Sequence, residues 1–265
     1  VRSARARALF TGYPSTYSVG MSNLGFHFIY GEASRDGRFR VERFFTDTSP
    51  VTLESQAPIS AASALLFTVS YEEDHINLVR TLIEAGIEPR RSERKGRPLI
   101  VAGGPAVSAN PFPLEEILDI AVLGEGEGTI GVLLDALFEA PQQDPLSCLD
   151  ALDGKEGIFI CGRRGGTRAV CRQGRRMDSF PHSVVMSGDT VFPWTMLIEA
   201  GRGCPGACSF CLATSLYRPF RYLHLDRMLS LIDSAAAVPR RVGLVSTAVT
   251  AHPSFIEMMQ ALAGR

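Results

Sequence analysis

The chain has 265 residues, of which 45% are hydrophobic, and its 27 Lys and Arg against 28 Asp and Glu give a net charge of −1. This composition is that of a globular protein with room for about two domains, and the near-zero charge argues against a dominant nucleic-acid or membrane footprint. No apolar run reaches the roughly 18 residues that a membrane span requires, and the one after the basic start is too short for a signal peptide, so we expect a protein of the reducing cytoplasm.

Residues 1–140 have the pattern of a first α/β domain. The sequence predicts strands here at Arg7–Thr11, Phe39–Phe45, Ala64–Ser70, Pro98–Ala102 and Asp119–Leu123. The third is an almost continuous apolar run, as expected for a strand that is buried on both faces. A helix is predicted from Leu24 with Asn23 as its N-cap, and another runs to a stop at Gly86. Strands that alternate with helices or loops predict a doubly wound parallel sheet of the Rossmann type.

The loops that follow these strands contain the candidate ligand-binding residues, because ligands bind beyond the carboxyl ends of the strands in such sheets. The candidates are Tyr13, Ser70, Gly103, Gly104, Gly124 and Glu125. Glycines at this edge allow the backbone to approach a ligand closely. The Gly124-Glu-Gly stretch lacks the third glycine and the helical context of a dinucleotide fingerprint, which argues against NAD. Glu125 and Glu127 are predicted either to hold their loop by accepting backbone N–H bonds or to serve as an acid and a base.

Residues 141–190 are predicted to form a linker. Pro141 and Pro145 end the last helix of the first domain, and Gly157–Cys161 and Arg168–Cys171 flank a Gly-Gly turn in a predicted β-hairpin. Arginines cluster in this region, at Arg163, Arg164, Arg168, Arg172, Arg175 and Arg176. Such a cluster is either a solvated face or a contact to RNA or an anionic substrate, and the scarcity of aromatic residues among the arginines weakens the case for RNA.

Residues 191–265 show a second rhythm of strands and helices. Strands are predicted at Trp194–Ala200 and Arg241–Ser246, and helices at Leu223–Val238 and Pro253–Leu262. This order implies parallel βα units, the start of a barrel. Gly201-Arg-Gly203 is a turn signal, so the residues after it lie at the carboxyl end of a strand, where barrel enzymes have their active sites. Glu199, at the end of that strand, is predicted to orient a cofactor or to pair with Arg202.

Three cysteines follow this turn, in a C-x3-C-x2-C spacing: Cys204, Cys208 and Cys211. Iron–sulfur clusters are held by cysteine thiolates at short intervals, and a cubane with four irons normally has four protein ligands. Three ligands leave one iron open to a small molecule, and open metal sites are typically catalytic. Zinc would require a fourth ligand, for which His224 is the nearby candidate, and a disulfide within so tight a turn would be strained. The other cysteines lack this spacing: Cys148, Cys161 and Cys171.

The cysteine motif with Phe210 before its last cysteine, and the flanking stretches Ile198–Cys204 and Tyr217–Arg221, resemble the radical S-adenosylmethionine (radical SAM) enzymes. In that family the open iron of a [4Fe-4S] cluster chelates the amino and carboxylate groups of S-adenosylmethionine, and a flavodoxin or ferredoxin supplies the electron. The resemblance implies that Phe210 contacts this cofactor. In place of the usual Gly-Gly-Glu-like stretch the chain has Ser246-Thr-Ala-Val-Thr250. Hydroxyls or backbone carbonyls of Ser246 and Thr247 are therefore expected to bind the amino group.

The first domain has a resemblance of its own. Val101–Pro105 followed by Leu123–Glu127 is similar to the cobalamin-binding domain that precedes many radical SAM barrels, and Tyr13–Gly25 resembles an uncharacterised subgroup of those fusions. The resemblance implies a cobalamin-binding-like cleft at the glycine loops. The loop Gly12–Gly25 has no Asp-x-His-x-x-Gly run, so bound cobalamin is expected to have no histidine ligand from it. Asp74-His75, after the third strand, is interpreted as an ordinary helix start.

Together these patterns predict a radical SAM enzyme with a [4Fe-4S] cluster and S-adenosylmethionine as cofactors, and with cobalamin as a further cofactor that the resemblance implies. Reductive cleavage of S-adenosylmethionine to a 5′-deoxyadenosyl radical would serve hydrogen abstraction, or methyl or methylthio transfer, on a substrate that the sequence does not identify. The competing hypothesis is a non-catalytic iron–sulfur or metal-binding module with a structural cluster. Because the chain starts at Val1 and stops soon after the second barrel strand, we expect a fragment that is inactive on its own.

Overall fold

In the computed structural model the described residues are 6–141, 144–163, 180–235 and 241–263. Their contacts divide the chain into two compact units, Val1–Gly20 with Ile29–Cys171 and Met21–Phe28 with Arg172–Arg265. The strands are β1 Arg7–Tyr13, β2 Phe39–Phe45, β3 Ala64–Thr68, β4 Leu99–Gly103, β5 Ile120–Val122, β6 Ile158–Ile160, β7 Thr195–Glu199, β8 Gly201–Arg202, β9 Arg221–Tyr222 and β10 Arg241–Val245. The helices are α1 Tyr17–Gly20, α2 Leu24–Asp36, α3 Glu73–Glu84, α4 Pro105–Ala109, α5 Ile130–Glu139, α6 Cys148–Leu152, α7 Leu212–Leu216, α8 Leu225–Asp233 and α9 Phe255–Ala263.

The first unit contains a six-stranded sheet in the order β2-β1-β3-β4-β5-β6. The strands β1 to β5 are parallel, with Leu9 of β1 opposite Val41 on one side and Ala64 on the other. This order belongs to the doubly wound class, and its switch point lies between β1 and β3. The predicted doubly wound parallel sheet is confirmed.

The region predicted as a linker contributes β6 to this sheet. Ile158 pairs with Val122 and Ile160 with Ile120, antiparallel to β5. The second arm of the predicted hairpin, Arg168–Cys171, lies outside the described residues. Local alternation predicts that a strand forms, but its partner is set by burial against distant strands, which a local pattern does not contain.

Apolar residues cover both faces of the sheet. On one face, Phe10, Phe67 and Ile100 pack with Leu78 and Leu82 of α3, and all of them are at most 3% exposed. The alternate residues of β3 are buried as well, since every position of Ala64–Thr68 is buried. Burial on both faces is what makes the strand read as a continuous apolar run.

Two helix ends follow the predicted signals. α2 begins after Asn23, whose Oδ1 accepts the Phe26 N–H at 2.9 Å and so caps the helix. α3 ends at Glu84, and Gly86 just beyond it has a φ of +66°. This left-handed conformation ends many helices and suits glycine.

In the second unit β7 and β10 are parallel neighbours, with Leu197 opposite Gly243. Residues 181–183 run along the other edge of β7, where the Pro181 carbonyl accepts the Glu199 N–H at 2.9 Å. β7 therefore has partners on both edges, as an interior strand has.

Helices α8 and α9 cover the β7–β10 pair. Met228 of α8 and Met258 of α9 pack with Ile198 of β7, and all three are fully buried. β7, α8, β10 and α9 are the predicted first βα units of a barrel, and this part of the fold prediction is also confirmed. In the part of the chain that the structure describes, no helix has both the length and the hydropathy to cross a membrane.

Candidate functional site

The three cysteines lie in one loop at the carboxyl end of β7. The chain leaves β7 through β8, passes residues 203–211 and α7, and returns as β9. β8 and β9 pair antiparallel, with Gly201 opposite Tyr222 and Arg202 opposite Arg221. This two-stranded ribbon closes the base of the loop at the strand end where barrel enzymes have their active sites.

Gly203 and Arg202 fix the entrance of the loop. Gly203 has a φ of +79°, and a Cβ atom there would lie 2.2 Å from the Tyr217 carbonyl oxygen, so a side chain does not fit. Arg202 makes a two-bond ion pair with Glu199, with Nε 2.8 Å from Oε1 and Nη2 2.6 Å from Oε2. Of the two predicted roles of Glu199, pairing with Arg202 is the one observed.

The thiols of Cys204 and Cys208 face the same point of the loop. A Cβ atom built on Gly206 would lie 3.4 Å from Cys204 Sγ and 3.9 Å from Cys208 Sγ. The Gly206 N–H donates to Cys204 Sγ at 3.4 Å. The Cys211 N–H donates to the Cys208 carbonyl at 3.1 Å, and Thr214 Oγ1 donates to the Cys211 carbonyl at 2.7 Å. Cys208 is exposed and the other two cysteines are partly exposed, so the thiols are accessible.

The donor set of this loop fits an iron–sulfur cluster. Thiolates are the ligands of such clusters, and N–H groups directed at sulfur tune them. Among the described residues, no three His, Cys, Asp or Glu side chains gather around one point as a single ion requires, whereas in a cubane each thiolate binds a different iron. His224, the candidate fourth zinc ligand, packs its ring against Tyr222 with centroids 5.3 Å apart.

The residues predicted to contact S-adenosylmethionine lie in two places. Phe210 is in the cysteine loop and is 90% exposed. Ser246 and Thr247 follow β10, where Ser246 Oγ accepts the Ala248 N–H at 3.2 Å and Thr247 Oγ1 donates to the Gly203 carbonyl. The structure thus brings Thr247 to the residue that precedes Cys204.

The predicted cleft residues of the first unit lie on neighbouring strand ends. Tyr13 ends β1 and Ser70 follows β3, so they flank the switch point of the sheet. The Val69 N–H donates to the Gly103 carbonyl at 2.8 Å, which joins the ends of β3 and β4. Tyr13 and Glu125 are buried, at 2% and 3% exposure. The partly exposed members of the set are Ser70, Gly103, Gly104 and Gly124.

The local backbone packing explains why position 104 is a glycine. It has a φ of +117°, and a Cβ atom there would lie 2.4 Å from the Val69 carbonyl oxygen. A side chain at this position would therefore collide with the backbone. Nearby, the buried Asp74 carboxylate accepts the N–H groups of Ser70 and Tyr71, each at 3.0 Å, and burial raises the pKa of this carboxyl. Tyr71 is 65% exposed beside the switch point, which the glycine pattern did not indicate.

Two cysteines outside the loop are buried in the first unit. Burial raises the pKa of the Cys148 thiol to about 11 and that of Cys161 to about 12, so both stay protonated near neutral pH. Arg163, from the predicted arginine cluster, pairs with Asp150 at 2.6 Å. The other arginines of that cluster, and Cys171, lie outside the described residues.

Two buried histidines, His27 and His252, were not predicted from the sequence. His252 accepts the Ser254 N–H at Nδ1, 3.1 Å away, and donates from Nε2 to the Leu223 carbonyl at 2.8 Å. His27 uses its two ring nitrogens in the same way. In both rings Nδ1 accepts and Nε2 donates, so these histidines have a structural role. Partners at 29 and 157 residues' separation leave no local signal.

Comparison with known proteins identifies the family of this chain. Residues 25–160 match the family described as radical SAM proteins, N-terminal, and the chain belongs to this family. The uncharacterized protein MJ0966 of Methanocaldococcus jannaschii is 26% identical over 250 residues, which are 93% of this chain and 50% of that protein. The chain thus spans about half the length of the curated relative that it matches.

Solved structures share the fold. The chain is similar to TsrM from Kitasatospora setae, a radical S-adenosylmethionine methyltransferase, with a TM-score of 0.55 over 97% of this chain and 51% of that one. It is also similar to OxsB, a cobalamin-dependent S-adenosylmethionine radical enzyme, with a TM-score of 0.61 over 98% and 37%. Identity is 15% in both cases, so the likeness is one of fold. The predicted resemblance to radical SAM enzymes with a cobalamin-binding-like first domain is confirmed.

Proposed function

We propose that the protein is a radical SAM enzyme whose [4Fe-4S] cluster is bound by Cys204, Cys208 and Cys211. The observation that carries the proposal is the convergence of two of these thiols on Gly206, in a loop at the carboxyl end of β7. A bound cluster, reduced by a flavodoxin or ferredoxin, would supply the one electron that reductive cleavage of S-adenosylmethionine to a 5′-deoxyadenosyl radical requires. That chemistry would serve hydrogen abstraction, or methyl or methylthio transfer, on the substrate.

The chain's own residues would hold and orient these groups. The Gly206 N–H donates to Cys204 Sγ, and N–H groups directed at the ligand sulfurs tune iron–sulfur clusters. Phe210 is 90% exposed, so its ring could stack against the adenine. The oxygens of Ser246 and Thr247 could accept hydrogen bonds from the N–H groups of the methionine amino group.

Anaerobic reconstitution with iron and sulfide tests the cluster. The wild-type protein should bind about four irons, the stoichiometry of a cubane. Alanine at any of the three loop cysteines should abolish this uptake, whereas Cys161→Ala is the matched control because that thiol is buried elsewhere. Iron loss in Cys161→Ala equal to that in Cys208→Ala would contradict the assignment.

Adding S-adenosylmethionine separates an enzyme from a structural module. An open iron that binds the cofactor should change the electron paramagnetic resonance spectrum of the reduced cluster. A structural cluster with four protein ligands would bind iron and leave its spectrum unchanged. The second outcome would favour the competing hypothesis of a non-catalytic module.

Cobalamin binding is a second function that we propose for the first unit. It is supported by the switch point between β1 and β3, since ligands bind at such crevices, and by the fold likeness to OxsB. Tyr71→Ala should weaken corrin affinity about ten-fold, the loss expected for one aromatic contact. Ile83→Ala is the control, because Ile83 is similarly exposed at the other end of α3. Equal affinity in the two variants, or no corrin absorbance in the wild type, would contradict this proposal.

A further inference from the structure

We infer that Thr247 is a positioning residue that holds the cluster-binding loop through Gly203, an inference that rests on the proposed role of the three cysteines. Thr247 follows β10, and its Oγ1 donates to the carbonyl oxygen of Gly203. That carbonyl belongs to the peptide unit that joins Gly203 to Cys204. The hydrogen bond therefore fixes the plane of the peptide that leads into the first cysteine.

The other contacts at the loop entrance hold neighbouring atoms, whereas Thr247 holds the peptide between Gly203 and Cys204. Gly203 is held on its Cα side, where a Cβ atom would be 2.2 Å from the Tyr217 carbonyl oxygen. Arg202 is held by its ion pair with Glu199. Beyond Gly203 the loop is open, because the residues 205 and 207–210 are exposed. The hydroxyl of Thr247 therefore links Gly203, the residue before the first cysteine, to the end of β10.

The chemistry of a hydroxyl couples this tie to the cofactor. Thr247 has one O–H group, and this group donates its hydrogen bond to the Gly203 carbonyl oxygen. Its oxygen is left as an acceptor, so it can receive a hydrogen bond from an N–H of the amino group but cannot donate to a carboxylate. An N–H donor at this oxygen polarises the O–H and strengthens its bond to Gly203, since linked hydrogen bonds reinforce one another. Binding of S-adenosylmethionine should therefore tighten the cluster-binding loop.

Three variants of the reconstituted protein test the inference. Thr247→Val removes the donor and leaves no cavity because Thr247 is exposed, and Thr247→Ser restores the hydroxyl. Thr250→Val is the matched control, an exposed threonine in the next turn. The readout is the anaerobic rate at which iron passes to an Fe²⁺ chelator, with and without S-adenosylmethionine. Thr247→Val should release iron roughly 2- to 12-fold faster, the factor that one hydrogen bond represents.

The expected pattern has three parts. Thr247→Ser and Thr250→Val should release iron at the wild-type rate, and S-adenosylmethionine should slow release more in the wild type than in Thr247→Val. If Thr247→Val releases iron at the wild-type rate, the inference is overturned and the cluster proposal stays intact. An unchanged release rate with a weakened response to S-adenosylmethionine also overturns it, because Thr247 would then be a cofactor contact alone. A wild type that takes up no four-iron cluster refutes the proposed function itself.

Discussion

In the cluster-free protein the cysteines of the loop should be alkylated much faster than the buried Cys148 and Cys161. Only the thiolate reacts with iodoacetamide, so the rate follows the ionised fraction. Burial raises the pKa of Cys148 to about 11 and of Cys161 to about 12, from an ordinary value of 9.0. At pH 8 an ordinary thiol is about one-tenth ionised, whereas these two are ionised to about one part in 1,000 and one part in 10,000. Ionisation alone should slow them about 100- and 1,000-fold, and burial slows them further.

Peptide mass spectrometry after timed quenching measures these rates. The loop cysteines should react first, because Cys208 is exposed and Cys204 and Cys211 are partly exposed. Urea is the control, since unfolding should bring all the rates together. If Cys148 or Cys161 reacts within ten-fold of Cys208 in the folded protein, the burial of the first unit is described wrongly and so is the reasoning that excludes these thiols from the site.

Three further changes test the fold that supports the site. Arg94→Met should lower the free energy of unfolding by about 3–5 kcal/mol in chemical denaturation, because it leaves the Asp119 carboxylate, 2% exposed, without its guanidinium partner. Gly104→Ala should cost at least roughly 1–3 kcal/mol, because it combines a φ of +117° with a contact of 2.4 Å to the Val69 carbonyl oxygen. Burial opposes ionisation of Glu42, but two hydroxyl donors and a neighbouring arginine outweigh it and lower the pKa of this carboxyl. Its contribution is therefore full above the ordinary pKa and is lost as pH falls through the folded pKa, so the stability difference between wild type and Glu42→Gln should vanish in acid.

Matched variants isolate the cause in each case. Arg35→Met removes an ion pair whose arginine is 60% exposed, and it should change stability by less than about 1 kcal/mol. Gly86→Ala has a φ of +66° but nothing within 4 Å of the added carbon, so it measures the backbone cost without the collision. An effect of Gly104→Ala no larger than that of Gly86→Ala would refute the argument from packing.

The strands β1 to β7 and β10 could be predicted from the sequence because their signals are local, whereas the short β8–β9 ribbon was not predicted. Ala64–Thr68 is buried at every position and therefore reads as an apolar run. Helix caps are local too, and Asn23 lies three residues from the N–H that it accepts. β6 behaves differently. Its strand signal is local, but its pairing with β5 joins residues about forty positions apart, as Ile160 with Ile120 shows, and register over that distance depends on tertiary burial.

The candidate site divides in the same way. The cysteine spacing is a short-range pattern, and the turn signal Gly201–Gly203 predicted that the motif follows a strand, which is where the loop lies. The tie from Thr247 to Gly203 spans 44 residues and depends on β7 and β10 being parallel neighbours, so no motif contains it. Gly104 was predicted as a cleft residue because glycine lets the backbone approach a ligand, and long-range packing adds a second reason for glycine at this position, since a Cβ atom would lie 2.4 Å from the Val69 carbonyl oxygen.

The division has a physical cause. The ends of the cysteine loop are fixed by the β8–β9 ribbon, by the Arg202 ion pair and by Thr247, contacts that the folded chain makes with itself. Its middle, from residue 205 to residue 210, is largely exposed and has few apolar contacts that would order it. A segment of this kind gains its order from what it binds, because metal binding supplies free energy that the loop does not obtain from burial. The residue types of the loop therefore indicate which ligand it can bind. The position of the loop is determined by long-range contacts at its base, which a local sequence pattern does not contain.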